Sequence, residues 1–323
     1  MTLWLILTPL LGAALCAGLP RHAARLNIAA SAVALLLALL LLGETSGEGW
    51  LRADALNMPL VLIAAIVGFS TAIFSAQDIA HDGFDARQSR AYHAAFQGFM
   101  AAHFLALLAD NLGIMWVAIE AGTLACVLMV ALHRTPAAIE AAWKFFILCG
   151  VGIALALFGL IVLALAAQPL AGHAEGQLSF VALRALAVRA DPNLLNLAFV
   201  FLLVGFGTKA GLVPMHSWLP DAHAEGPTPI AAVLSGLLLN AAMLAILRGK
   251  SIVAAHPDTI PPGVFLIVLG FATLLLAGFS LWRRRDAKRL FGWSSIEHMG
   301  IAAIAFGVGG GAGHMAGLLH LWG

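Results

Sequence analysis

From its second residue onward the chain is a succession of apolar stretches of bilayer-spanning length, parted by short polar turns. A helix needs about 20 apolar residues to cross the hydrocarbon core. Such stretches lie at 2–19, 26–43, 59–77, 92–109, 111–132, 138–168, 194–215, 229–247, 262–282 and 290–309, and another begins at 312. Lipid offers no partner for backbone polar groups, so the pattern predicts an all-α polytopic membrane protein with about ten or eleven spans. Of the 323 residues, 62% are hydrophobic and 10% charged, at a mean hydropathy of +0.97, which excludes a soluble domain. A formal net charge of +1 argues against a nucleic-acid partner. No composition shift marks a boundary within what reads as one membrane domain.

Cys16, Cys126 and Cys149 all fall inside apolar runs and form no CxxC pair, which suits small buried side chains rather than disulfides, clusters or zinc. The N-terminus lacks a basic region before its first apolar stretch, so no cleavable signal is expected. Orientation follows from lysine and arginine in the turns. One side carries Arg21, Arg25, Arg87, Arg90, Arg134, Arg283, Arg284, Arg285, Lys288 and Arg289; the other carries Arg52, Arg184, Arg189, Arg248 and Lys250. The larger set belongs to the cytoplasm, placing the N-terminus outside, together with the long loop 169–193 and its amphipathic stretch 180–189. Asp78, Asp82, Asp85 and Asp110 fall in predicted loops as solvated termini, with Asp110 and Asn111 capping the fifth span. The stretch from 312 is shorter than a span, which predicts an incomplete last helix.

Against this background one residue stands out. Lys209 ends the apolar run 194–207 and is followed at once by Gly211 and Pro214. An ionised side chain at the bilayer centre costs at least ~2.5–3.5 kcal/mol. The run Gly205, Gly207, Gly211, Pro214 predicts a helix broken near 205–214, and irregular backbone at that depth is tolerated against protein or water. A second interruption is expected at the glycine-rich segment 307–313. Glu120 lies near the middle of the fifth span. A carboxylate and an ammonium in one membrane titrate as a coupled pair, so moving one charge shifts the other's proton affinity; the competing reading is an ion pair that only fixes helix packing. Glu140 and Lys144 stand at i,i+4 in the favourable order, either on a proton path or as an interfacial pair with the lysine snorkelling. Glu297 and His298 enter the tenth span behind the basic cluster, as proton-entry groups or as solvated ones. His93, His103, His216, His223, His314 and His320 are candidate relay members, since imidazole titrates near neutrality. His93 and His103 lie about 15 Å apart along one helix, but no second pair at matching depths accompanies them, so no haem or other cofactor and no metal is expected on this chain.

Four segments carry a resemblance. The stretch Gly207-Thr208-Lys209 through Pro229, the run Trp116 to Glu120, the run Glu140 to Phe146 and the run Asp286 to Gly300 resemble, in order, the motifs of the antiporter-like subunits of complex I, of multisubunit cation/proton antiporters and of membrane-bound energy-converting hydrogenases. The Ser294-Ser295-Ile296-Glu297-His298-Met299-Gly300 version is most similar to the hydrogenase-4 component F branch. The resemblance implies about fourteen helices with two inverted five-helix repeats, each holding one broken helix. On that scheme residues 1–91 are preceding helices, 92–248 the first repeat and 249–323 the start of a second, incomplete one. It implies that Glu120 is the modulating glutamate and Lys209 the channel lysine. Lys144, Glu140, His216, Glu297, His298 and His320 are further proton-path candidates. Ser235 and Asn240 stand where some relatives carry His or Lys, and His320 is similar to the first histidine of an H-x-x-x-H pattern. The implied function is proton translocation in a bacterial inner membrane. Its partners would be other membrane subunits and a peripheral hydrogenase or dehydrogenase arm that holds the redox groups. The alternatives are a sodium/proton antiporter subunit and a structural or assembly subunit without transport.

Overall fold

A computed structural model of the chain describes residues 1–43, 47–171, 178–282 and 286–322. Arg283, Arg284 and Arg285 of the basic cluster lie outside the described residues. The chain forms α1 (Thr2–Gly18), α2 (Ala23–Leu40), α3 (Met58–His81), α4 (Ala86–Leu108), α5 (Leu112–Val130), α6 (Pro136–Ala171), α7 (Phe180–Ala187), α8 (Pro192–Lys209), α9 (Trp218–Glu225), α10 (Thr228–Val233), α11 (Leu239–Val253), α12 (Pro262–Leu281), α13 (Ala287–Val308) and α14 (Gly310–Trp322). Each predicted span has its helix, and the amphipathic stretch is α7. Among the described residues, seven helical stretches are long and apolar enough to cross a membrane by themselves. α4 and α13 are not among them: α4 buries His93, Gln97 and His103 against its neighbours, and α13 carries Lys288, Arg289, Glu297 and His298, none of them fully buried. α10 and α11 are joined by a π turn, Leu234–Leu238, into one continuous central helix. Its apolar window is 78% buried, against 22% for the peripheral α12.

Two helix pairs pack at backbone distance. On α6, Gly152, Ala156 and Gly159 face Gly205, Thr208 and Leu202 of α8. A Cβ on Gly205 would sit 2.7 Å from Ala156 Cα, and one on Gly152 would sit 2.7 Å from Thr208 Cβ. On α12 and α13, Gly270 faces Gly300 in the same manner. Lipid supplies no hydrophobic drive for helix association, so close approach of small residues is what holds such pairs.

Capping residues set the helix ends. Asp85 makes a reciprocal capping box with Gln88, Asn111 accepts from the amides of Gly113 and Ile114, and Asp191 caps α8. The sequence expectation for two carboxylates is corrected here. Asp78 lies within α3, not in a loop. Asp110 is buried rather than solvated: it accepts from Arg52 Nε at 2.8 Å and from Ser179 Oγ at 2.5 Å. Around it the α4–α5 turn is sewn to two flanking segments. The Asp110 amide donates to Trp50 O, Leu112 N to Leu178 O and Phe180 N to Asp110 O. A two-residue antiparallel pair, Gly47–Glu48 with Leu51–Arg52, completes this end of the bundle. Arg248 and Lys250, expected in a turn, are instead inside α11; Arg248 is fully buried and Lys250 reaches the Phe306 carbonyl on α13.

Candidate functional site: a buried lysine at a helix break

α8 ends at Lys209, and the way it ends fixes the lysine. Gly211 takes φ +74°, the left-handed conformation open to glycine. Its amide donates to Thr208 O at 3.3 Å and the Leu212 amide to Gly207 O at 2.8 Å, the paired bonds of a Schellman stop. The Thr208 carbonyl is further satisfied by Trp218 Nε1 at 2.9 Å from the start of α9, and the Trp218 ring stacks on Phe145 at 4.4 Å. The Val213 amide donates to Thr273 Oγ1 of α12 at 3.1 Å. The interruption therefore runs from Ala210 to Ser217, with every one of these backbone groups given a partner. Gly211 and Pro214 lie in it. Gly205 and Gly207 do not: both are inside continuous α8, and Gly205 is small because α6 touches the backbone there, not because the helix bends.

The Lys209 side chain is wholly buried. Its Nζ donates to Glu120 Oε2 at 2.7 Å and to Thr123 Oγ1 at 2.6 Å. Glu120 and Thr123 are three residues apart on α5, hence on one face, and the Thr123 hydroxyl donates onward to Ile119 O. The Glu120 side chain keeps 21% exposure while its partner has none, so the carboxylate is the end of the pair nearer the surface of the bundle.

Lys144 belongs to a different cluster. Its Nζ lies 3.9 Å from Glu140 Oε1 but 2.6 Å from Asp221 Oδ2 on α9. The i,i+4 pairing expected from sequence is thus the weaker contact, because Glu140 stays in solvent at 78% exposure while Asp221 comes in from across the groove. Asp221 also faces Arg289 Nη2 of α13 at 3.5 Å, and Arg289 faces Glu225 at 3.7 Å. His216 lies in the break against the Trp293 ring at 5.4 Å.

A cavity of about 600 Å³ opens beside the central helix, lined by His223, Ser235, Asn240, Lys288, His298 and His320. The His223 Nδ1–H donates to Leu219 O at 3.0 Å, which leaves Nε2 as an acceptor; that atom is buried and has no protein partner. His298 and His320 meet at 2.9 Å, ring nitrogen to ring nitrogen. Glu297 is half-buried beside them. Ser235 and Asn240 turn their donors back onto the carbonyls of Ala231 and Gly236, around the π turn, a helix defect often found at functional positions.

The structure thus brings Glu120 to Lys209, Lys144 to Asp221, and His298 to His320, as three separate groups. Thr123, Asp221, Arg289 and Trp218 are the contributors that sequence reasoning passed over. Thr123 was within reach of it, being three residues from Glu120. Asp221 was not, since its partner stands 77 residues away. His93 Nδ1 meets Asn27 Nδ2 at 3.0 Å, His103 stacks on Phe99, and His314 contacts the Gly310 carbonyl. The cysteines are free and buried. Among the described residues no group of three His, Cys, Asp or Glu is placed to hold a metal ion.

Residues 109–323 match the family described as NADH:quinone oxidoreductase/Mrp antiporter, TM, and the chain belongs to that family. It is 48% identical over 272 residues to a hydrogenase-4 component F homolog of Methylacidiphilum infernorum, covering 83% of this chain and 57% of that protein. It is 27% identical over 264 residues to hydrogenase-4 component B of Escherichia coli, covering 80% and 37%. The chain therefore spans roughly half the length of these relatives or less. Its fold is similar to a chain of the membrane-bound sulfane sulfur reductase, an archaeal respiratory complex, with a TM-score of 0.86 at 21% identity over 99% of this chain and 67% of that one. It also matches a chain of respiratory complex I from Thermus thermophilus, with a TM-score of 0.77 at 25% identity over 95% and 65%. The N-terminal helices, which no sequence motif covers, are included in these structural matches.

Proposed function

We propose that this chain is a proton-translocating membrane subunit of a redox-driven complex of the hydrogenase-4 or NADH:quinone oxidoreductase type. The observation that carries the reading is the fully buried Lys209 ammonium, held 2.7 Å from Glu120 where a membrane helix stops and resumes. In a coupled carboxylate–ammonium pair, separation loosens the amine's hold on its proton and approach restores it. Glu120 is the more exposed partner, and α9, beyond the break, touches the helix that holds Lys209 through the Trp218–Thr208 hydrogen bond. Displacement of either would drive uptake and release. Electrons would travel in partner subunits, in a peripheral hydrogenase or dehydrogenase arm. The basic turns favour a bacterial cell membrane location with the N-terminus outside. Lys144, Glu140, His216, Glu297, His298 and His320 are proposed as groups through which protons reach or leave the pair.

The test is Lys209→Ala in an assembled complex reconstituted into sealed vesicles. Redox turnover without acidification of the lumen is expected, in sodium-free and sodium-containing buffer alike. Unchanged pumping per turnover overturns the proposal, and a gradient that appears only with sodium assigns the chain to cation exchange instead.

A further inference from the structure

The two sides of the Glu120–Lys209 pair are built oppositely. Toward α9 and α13 lies the polar cavity. Toward the end of the bundle carrying α7, the side chains of Leu112, Met115, Leu160, Leu202 and Phe206 pack around Ala245 and Gly249 without room for a water molecule. Leu112 and Met115 precede Glu120 on α5, and Leu202 and Phe206 precede Lys209 on α8, so this layer stands between the pair and that surface. Directly behind it on α11 is Arg248, with no exposed surface at all. Its Nη1 donates to Ala109 O and its Nη2 to Leu107 O at 3.5 Å, at the last turn of α4. The guanidinium lies over the Phe180 ring of α7 at 5.4 Å, and Nε has no partner. Among the described residues it has no carboxylate in an ion pair: Asp54 and Asp110 act on it only through space, as does the Arg52 cation, and Asp110 is itself bound to Arg52 and Ser179.

A buried cation without a counter-ion is costly, and its charge is felt over a long range in a dry interior. We propose that Arg248 is an electrostatic seal. Its fixed positive charge, behind the dry layer, would repel hydronium and other small cations, so that protons held at Lys209 exchange toward the cavity and not through the α7 end. Pores that must exclude protons use a fixed cation in the same way. The inference rests on the proton-carrying reading of Lys209 for its path, but not for its measurement.

Passive proton entry into vesicles holding the complete complex, without redox turnover and under an imposed potassium diffusion potential, reads the seal directly. Arg248→Met is expected to raise the leak by about tenfold, while Arg248→Lys, which keeps the charge, stays tight. A methionine variant that assembles and is as tight as the original overturns the proposal and leaves Arg248 as a cap for α4. Should that variant not assemble, Leu202→Asn, which wets the layer but spares the guanidinium, is the deciding measurement: it remains tight if the charge is the barrier, and a leak there assigns the barrier to dryness and overturns the proposal. Adding Lys209→Ala to Arg248→Met separates the two readings. Loss of the leak places its route through the pair; a persistent leak upholds the seal while the lysine's role as carrier falls.

Discussion

Two of the places where polar groups are buried in the bundle are built on different principles. Between α1, α2 and α4 the groups are neutral. Gln97 Nε2 donates to Asn27 O, Asn27 Oδ1 and Ser31 Oγ at 2.7–3.0 Å, and Asn27 in turn meets His93. The helices there are continuous. Between α5 and α8 the groups carry formal charges, and one helix stops beside them. Neutral networks lock helices into one register, and their worth is structural. A charged pair has two protonation states and so two energies for each geometry, and an interrupted helix supplies a second geometry. The contrast separates what holds this molecule from what lets it work.

The largest effect is expected from splitting the charged pair. Lys209→Met or Glu120→Gln alone strands a charge in the membrane, at a cost of roughly 3–5 kcal/mol, whereas the double variant recovers most of that stability yet stays inactive in pumping. Melting curves in detergent beside vesicle acidification distinguish the two. If the double variant pumps, the pair is scaffolding and the comparison collapses. Next comes the seam: Gly205→Val drives a side chain into the Ala156 backbone and is expected to prevent assembly, while Gly98→Val meets nothing within 4 Å and assembles normally, as followed by gel filtration. Gln97→Leu should cost about 1–3 kcal/mol through the partners it orphans and leave pumping per assembled complex untouched; a pumping loss larger than the loss of assembled protein would erase the distinction between the two networks. The smallest effect belongs to Asp221→Asn. Lys144 and Asp221 are partly exposed, so a double-mutant cycle is expected to give a coupling below about 1 kcal/mol, reduced further by salt.

The sequence carried most of the fold because each span is written locally, as a run of apolar residues opened by a cap such as Asp85, Asn111 or Asp191 or closed by a glycine such as Gly211. It carried the principal pair as well, since a charge in an apolar run is conspicuous wherever its partner lies. What it hid was set by three-dimensional neighbours. Gly205 and Gly207 look like breaking residues in one dimension, and only the proximity of α6 shows Gly205 to be a contact residue. Glu140 looked like the partner of Lys144 because it is four residues away, but solvent on one side and Asp221 on the other reverse the choice. Arg248 looked like a turn charge that marks orientation; its burial depends on α4 and α7 arriving over it from more than 60 residues upstream.

The glycine seams carry a mechanical consequence. α6 with α8, and α12 with α13, each approach backbone to backbone, with no room for a Cβ at Gly205 or Gly270. The short α9 is tied to both: Asp221 reaches Lys144 on one and Arg289 on the other, Trp218 stacks on Phe145, and Glu225 faces Arg289. The two glycine seams thus meet across α9, a few residues beyond the turn of chain that follows Lys209.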